Sequence, residues 1–538
     1  MKNKKTALFM GSLVSISMIL GACGNTAGED KLPGTDGQEA AQSVSTNEAN
    51  SDDPGSSASG DTAAVREAGG VIDFDEDPYE VTVELVIGRA GELQDEKVVE
   101  DAINEITLAK ANLTVDLLPV LLAEHATKMS LWSTTGEKVD LVMAGMTTPF
   151  NNLVASESLQ PITEELNTRA PELVEKLGVL LEPVTVDGEI YAVPAVLYPA
   201  DSYVFYHNQE LADEYGIEVP EVCGSAEDIE KVFEQVKASG MEARATNIGQ
   251  GVPSSCVLYD SLGDTSSLSY GVLMLDGSDE IVNYYDTQEY EDLCRMRRDW
   301  FEKGYGVEDA LTSGMNTSQM MKAETIFGEF VREGAVNTLA FAESNVGVTL
   351  GKGLLSKTYL ANKHVLDYTW GVSINCERPD KCVDLLNLMY TDADVMNLMA
   401  NGIEGLNYQM VSERIIDYAD GLTAATSGYA QLISKIGDSK MVYQFAPLTE
   451  DYYDEIVKYE PENADIISPA LGFSADVTAV QSEIASITNV VSEYSNSLAY
   501  GLVDVDETLP KFRAALKEAG IDKVVTEINR QYQEWKNQ

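Results

Sequence analysis

Between Val81 and Gly145 the chain switches repeatedly between strand-like and helix-like periodicity, and this constrains its fold more than any other feature. Val81 to Ile87 alternates apolar and polar residues and then meets Gly88, Arg89, Ala90 and Gly91, the pattern of a strand entering a loop. Val98, Val99, Ala102, Ile103 and Ile106 recur at helical spacing, Leu113 to Leu118 reads as a second strand, and Glu124 to Trp132 as a second helix. Asp140 to Met143 is a third strand that stops before Gly145. Strands alternating with helices predict a parallel sheet. Ligands of such sheets bind beyond the carboxyl ends of the strands, so the loops carrying Arg89 and carrying Met146 and Thr147 are expected to face a cleft.

The same reading extends along the chain. Asp187 to Pro194 is a tight turn followed by a strand, Tyr198 to Tyr206 is polar and aromatic, and a short helix starts at His207 to Leu211 and ends near Gly216. Ser225, with Asp228 three residues on, is an N-cap for a helix reaching Gly240, and Gln288 to Lys303 is another helix. Val480, Ile484, Ile487, Val491, Tyr494 and Leu498 form one amphipathic face, and two further helices follow around Leu509, Phe512 and Leu516 and around Val524, Ile528, Tyr532 and Trp535.

The N terminus reads differently. Lys2, Lys4 and Lys5 precede an uncharged apolar run from Ala7 to Leu20, shorter than the ~20 residues of a spanning helix. Leu20, Gly21, Ala22 and Cys23 follow it and resemble the lipobox of bacterial lipoproteins, which makes 1–23 an export signal and Cys23 the lipidated residue. Residues 24–77, poor in aromatics and rich in Ser, Gly, Ala, Thr, Asp and Glu, are expected to be a disordered acidic tether. About 460 residues remain, too many for one core and enough for two lobes.

A formal charge of −53, from 36 basic and 89 acidic residues, argues against nucleic acid or anionic lipid as a partner. Of the six cysteines, Cys23, Cys223, Cys256, Cys294, Cys376 and Cys382, lipidation leaves five, an odd number that does not suit a disulfide framework. Cys376 and Cys382 are close enough in sequence to pair, but buried thiols are the expectation.

Motifs for catalysis are missing. The three histidines, His125, His207 and His364, stand singly, and there is no P-loop, GxSxG elbow or CxxC. Asp73, Asp75, Asp77 and Glu84 imitate part of a calcium loop, but Pro78 replaces the glycine its turn needs. No cofactor or metal is expected.

Several segments resemble a known family. Asp140 to Gly145 with Leu159, Gln160, Pro161 and Ile162, then Asp187, Gly188, Tyr191, Ala192 and Pro194, then Tyr206, Asn208, Glu210 and Leu211, resemble the signatures of sugar-type (family 1-like) extracellular solute-binding proteins. Trp370 to Ile374, Leu385 to Asp392 and the run Gly402, Ile403, Glu404, Gly405 with Tyr408 resemble a subgroup of ABC-transporter substrate-binding lipoproteins. That subgroup ends in a domain of unknown function, which Ser468 to Phe473 and the stretch from Leu509 to Trp535 resemble. Asn401 stands where the subgroup has an aromatic residue, and Leu406 where it has Lys or Arg.

The resemblance implies an α/β class: a two-lobed periplasmic-binding-protein-like fold with a hinge between the lobes and extra C-terminal helices. It implies lobe 1 at 78–198 and 370–405, and lobe 2 at 199–369 and 406–538, crossing near Leu197 to Ser202 and returning near Tyr368 to Val372. Arg89, Met146, Thr147, Asp201, Ser202, Tyr203, Phe330, Trp370, Glu404 and Phe473 are the implied ligand contacts, aromatic faces and polar groups of the kind that grip sugars. The implied role is the non-enzymatic, monomeric receptor of an importer, lipid-anchored on the extracellular face of the membrane, which captures an oligosaccharide or related glycoside and presents it to permease subunits. Capture of peptides or other small polar solutes is one alternative, and a surface glycan hydrolase or adhesin is another.

Overall fold

The computed structural model describes residues 72–88, 93–249, 257–262, 270–308, 311–312, 314–429 and 437–537. Cys23, most of the expected tether, Arg89 and Cys256 lie outside them.

The first lobe is built on strands β1 (Tyr79–Ile87), β2 (Leu113–Leu121), β3 (Leu141–Ala144), β4 (Ala192–Pro194) and a late strand, Thr369–Val372. They form one five-stranded sheet in which β1 pairs in parallel with β2 and β3, and the late strand runs antiparallel between β3 and β4. Helices α1 (Glu96–Ala111) and α2 (His125–Thr135) follow β1 and β2, the βαβ arrangement the periodicity predicts. Val99 and Ile103 of α1 are fully buried, and Asn112 ends the helix in the left-handed region at φ 49°. Arg169 and Asp384 join two helices over this core through a pair of hydrogen bonds, 2.8 and 2.5 Å long.

The second lobe is built on β5 (Asp201–Asn208), β6 (Arg244–Thr246), β7 (Ile326–Gly334), β8 (Leu350–Leu354), β9 (Tyr359–Leu360) and Ile466–Ile467. The first lobe's late strand, Thr369–Val372, is β10, and Ile466–Ile467 is β11. β5 is the axis of the second sheet, with β7 antiparallel on one edge and β8 and β9 sharing the other. Ser225 caps the helix Ala226–Ser239 by accepting from the Asp228 N–H at 3.3 Å, as its sequence predicts. A small sheet of Tyr259–Ser261, Val272–Met274 and Ile281–Val282 shares a separate core with the C-terminal helices Gln481–Ala499, Val505–Glu518 and Ile521–Lys536. Helix Gln288–Glu302 joins that core to the second sheet's, giving Tyr290 and Cys294 to one and Leu293 and Trp300 to the other.

Residues beyond Leu406, where the family pattern implies a return to the second lobe, stay with the first core. Ile415, Tyr429, Val442, Leu448, Tyr452, Ile456 and Tyr459 all pack into it. Their burial needs apolar partners, and the first sheet's helices supply them. The chain regains the second sheet at β11.

Cys223, Cys294, Cys376 and Cys382 are buried thiols, with the sulfurs of Cys376 and Cys382 3.5 Å apart and unbridged. No helix among the described residues is long and apolar enough to cross a membrane.

Candidate ligand site between the lobes

Three chain segments pass between the two sheets, and hydrogen bonds tie them to one another. The Ala195 N–H donates to the Tyr368 carbonyl at 2.9 Å, and the Ala200 N–H donates to the Tyr459 carbonyl at 3.2 Å. Asp201, the first residue of β5, pairs with Tyr359, and Tyr359 pairs in turn with Ile466. The lobes are thus joined by a narrow bundle of backbone, the construction of a hinge.

The first lobe's rim at this bundle is the loop after β3. Gly145 adopts φ 94°, its N–H donates to the Thr148 carbonyl at 3.0 Å, and it lies against the incoming backbone at Leu366. Met146 and Thr147 follow it, both half-buried. The turn at Gly402 to Gly405 lies at the start of α1, because Asn407 accepts the Ile403 N–H at 2.9 Å and donates to Asp95 at 2.7 Å. Both glycines have positive φ, 80° and 79°, and Glu404 between them is exposed. A Cβ on Gly402 would meet Asn407 Oδ1 at 2.4 Å, so this glycine is needed for the turn itself.

The second lobe brings a compact group of charged and aromatic side chains to the bundle. Asp201 Oδ2 lies 3.4 Å from Arg332 Nη1 and 3.4 Å from His364 Nε2. His364 accepts the Ala361 N–H on Nδ1 at 3.0 Å, which leaves Nε2–H to face the carboxyl. Desolvation raises the Asp201 carboxyl above its usual range, partly opposed by Arg332, and holds His364 well below its own. Lys363 lies over the rings of Tyr259 and Tyr359, 5.9 and 5.6 Å from their centroids, and desolvation together with Arg332 brings its ammonium down to about 8. Tyr203 is half-buried, stacks on Tyr359 at 6.3 Å, and is pushed up to about 12 by desolvation. Ser202 beside it is buried.

A cavity of about 390 Å³ opens next to Tyr203. Leu258, Met274, Leu355, Ser356, Lys357 and Ile466 line it, and Ser356 Oγ accepts the Tyr203 N–H at 2.8 Å. Apolar walls with a few polar groups are what a small-molecule site requires. Asp260 and Asn362 stiffen this corner: the Asn362 amide donates to Asp260 at 2.9 Å and to the Ala470 carbonyl at 2.6 Å, and accepts from the Gly472 N–H at 2.9 Å. The C-terminal segment is thereby attached at the hinge.

The residues singled out from sequence therefore separate. Asp201, Ser202 and Tyr203 open β5 at the crossing, Met146 and Thr147 lie in the loop after Gly145, which abuts the returning segment at Leu366, and Glu404 stands on an exposed turn beside α1. Three aromatic residues are core instead. Trp370 is 1% exposed in the middle of the first sheet, Phe330 stacks on Trp300 at 6.1 Å, and Phe473 packs on Tyr532 and Trp535. Arg332, Tyr359, Lys363 and His364 were not singled out. Tyr359, Lys363 and His364 lie in the polar and aromatic segment just ahead of the expected return at Tyr368, but Arg332 lies on β7, and only the pairing of β5 with β7 and β9 brings the four together.

Residues 469–537 match the model of a domain of unknown function, DUF3502. Over 445 residues, 80% of this chain and 86% of the relative, the sequence is 26% identical to a carbohydrate ABC transporter substrate-binding protein of Streptococcus pneumoniae serotype 4 (strain ATCC BAA-334 / TIGR4). In fold the chain is similar to the N-glycan transport solute binding protein of Streptococcus pneumoniae, with TM-score 0.73 and 22% identity over 85% of this chain and 99% of that one. The TM-score to that protein in complex with Man5GlcNAc is 0.64, at the same identity and coverage. An HMO-binding, ABC-transporter-associated solute binding protein from Bifidobacterium longum infantis ATCC 15697 is also similar, with TM-score 0.56 and 15% identity over 86% of this chain and all of that one.

Proposed function

We propose that this chain, a relative of the substrate-binding proteins of carbohydrate ABC transporters, captures an oligosaccharide between its two lobes and presents it to permease subunits. The observation that carries the proposal is the hinge. Three backbone crossings, bonded to one another at Ala195, Ala200 and Tyr359, join two separate cores, and in this reading the ligand cleft runs between them. A ligand held by both walls stabilises the closed form by its differential affinity for it, and closure is the signal a transporter reads. Relatives that bind N-glycans and other oligosaccharides share this architecture. The lower TM-score to the Man5GlcNAc complex agrees with lobes that move on binding.

Along the cleft, Met146, Thr147, Asp201, Ser202 and Tyr203 contact the sugar in this reading, with Arg89 and Glu404 reaching it from the loop after β1 and from the turn beside α1. The first lobe comprises 78–198 with 370 to about 459, and the second the remainder of the folded chain. Cys23 carries the lipid, and the tether expected at 24–77, held to the first lobe at its end where Glu76 pairs with Arg378 and Lys381, separates the lobes from the outer surface of the membrane. The chain works as a monomer and leaves its ligand intact.

Thermal-shift measurements against mannose-type N-glycans, fructo-oligosaccharides, milk-type oligosaccharides and oligopeptides test this. A ligand at 100 times its Kd adds ~2.7 kcal/mol of stability. The expected result is a shift with one glycan series, recovered unchanged afterwards. A shift with peptides alone overturns the ligand class, and a hydrolysed glycan overturns the receptor role.

A further inference from the structure

The first lobe contains a line of polar side chains used by neither its packing nor the crossing. β1 and β3 pair where Val83 faces Leu141, and further along Glu84 takes over the bonding: its Oε2 accepts the Met143 N–H at 3.0 Å. The side chain of Glu84 is 0% exposed, and so is that of His125, the first residue of α2. Glu84 Oε1 lies 3.3 Å from His125 Nε2, and neither atom has a hydrogen-bonding partner among the described residues, so the two buried atoms are left facing each other. On its other side, His125 Nδ1 contacts Thr147 Oγ1. Thr147 belongs to the half-buried rim loop that follows Gly145.

With Glu84 as a carboxylate, the chemistry of each group sets the donor and acceptor roles along this line. A carboxylate only accepts hydrogen bonds, so the nitrogen facing Glu84 carries the ring proton. Nδ1 is then left as the acceptor, and it takes the hydroxyl hydrogen of Thr147. Which nitrogen is protonated is set by what the other one meets. The Thr147 hydroxyl has one hydrogen, directed inward, and only lone pairs remain for the cleft.

We infer that Glu84 and His125 are positioning residues that fix Thr147 as a hydrogen-bond acceptor on the cleft wall, where it selects ligands that donate a hydroxyl hydrogen at that point. This inference rests on the proposed function and deepens it. A sugar hydroxyl satisfies such an acceptor. A carboxylate, a carbonyl or an O-methyl group at the same place presents lone pairs to lone pairs. The rim therefore discriminates by hydrogen-bond polarity, a feature that shape and aromatic stacking do not provide.

Imidazole 15N correlation spectroscopy of the full chain reads this directly, because the chain has only three histidines. His125 is expected as the Nε2–H tautomer. In Glu84→Gln, an amide whose oxygen stays on the Met143 N–H turns its NH2 toward His125, so His125 is expected to switch to the Nδ1–H form while His207 and His364 keep their signals. A doubly protonated or Nδ1–H His125 in the wild type overturns the inference, as does a Glu84→Gln variant that keeps the wild-type tautomer. Should Glu84→Gln not fold, the wild-type spectrum still decides.

Titration with the glycan that gives the thermal shift tests the ligand side. Thr147→Val is expected to bind about three- to tenfold more weakly than the wild type, and Thr147→Ser, which keeps the hydroxyl, to bind more tightly than Thr147→Val. Equal affinity of Thr147→Val and wild type removes the ligand role of Thr147 while the receptor function stands. A wild type that binds no sugar removes the sugar-capturing function and this ligand role with it, and the spectrum alone then decides the positioning role of Glu84 and His125.

Discussion

Gly145 lies so close against Leu366 that a Cβ added to it would sit 1.8 Å from the Leu366 carbonyl oxygen. Gly145 ends the third strand of the first sheet, and Leu366 belongs to the segment returning from the second lobe, so the contact joins the cleft rim to the hinge. Its φ of 94° is also in a region side chains avoid. Gly145→Ala is expected to lose about 1–3 kcal/mol from backbone strain alone, plus the cost of moving the returning segment. Denaturant unfolding measures the loss. An unchanged midpoint would mean that rim and hinge do not press on each other.

The asymmetry between fold and site has a physical cause. Strand and helix periods around β1, α1 and β2 were legible because each element has one face on the core. Trp370 stands next to a crossing, where the sequence pattern implies a ligand contact, but every residue of β10 is buried. A strand covered on both faces gives its cleft-lining and core-filling aromatics the same sequence pattern. The third crossing, after Tyr459, left no signal either. Short helical turns there bury Tyr452, Ile456 and Tyr459 through contacts distant in sequence. Likewise, Glu84, His125 and Thr147 lie far apart in the sequence and meet only because α2 begins beside the β3 loop.

Asp384 and Arg169 form a bidentate pair with side-chain exposures of 4% and 11%. Removing one partner from such a pair leaves a charge with little access to water. Asp384→Ala is therefore expected to cost about 3 kcal/mol, tempered by Asp380, 3.9 Å from the same guanidinium. Replacing both residues with apolar ones of similar size is expected to cost less than Asp384→Ala alone. Urea titration of the single and double variants makes the comparison, and a more stable single variant would contradict it.

His207 sits between Phe205 and Phe327, with ring centroids 6.4 and 5.5 Å away, and burial lowers it to about 4. In an unfolded chain it titrates near 6.5, so between those values the unfolded state takes up a proton that the folded state refuses. Stability contributed by the neutral ring is fully present above about 6.5 and is lost as pH falls toward about 4, by roughly 3 kcal/mol. His364 is depressed in the same direction and adds a loss of the same sign. His207→Phe is expected to flatten the fall in stability across this window relative to the wild type. Parallel slopes in the two proteins would show that His207 is protonated in the fold.

Tyr203 and Phe330 stand on neighbouring strands of the second sheet and were both read from sequence as ligand contacts, yet their surroundings differ. Phe330 is 5% exposed and packs on Phe205, Phe233 and Trp300. Removing its ring leaves a cavity, and Phe330→Ala is expected to cost about 3–5 kcal/mol of stability. Where the variant remains folded, its glycan affinity should change little. Tyr203 is half-buried, stacked on Tyr359, and its N–H donates to Ser356, which lines the 390 Å³ cavity. Tyr203→Ala keeps most of the core and is expected to weaken glycan binding about tenfold or more, as truncating an aromatic anchor does. Calorimetric titration beside thermal unfolding separates the two effects. If Tyr203→Ala lost stability and kept affinity while Phe330→Ala did the reverse, the ligand surface would lie around Phe330, further along the face the two residues share, and the cleft contacts proposed at Asp201, Ser202 and Tyr203 would have to be given up.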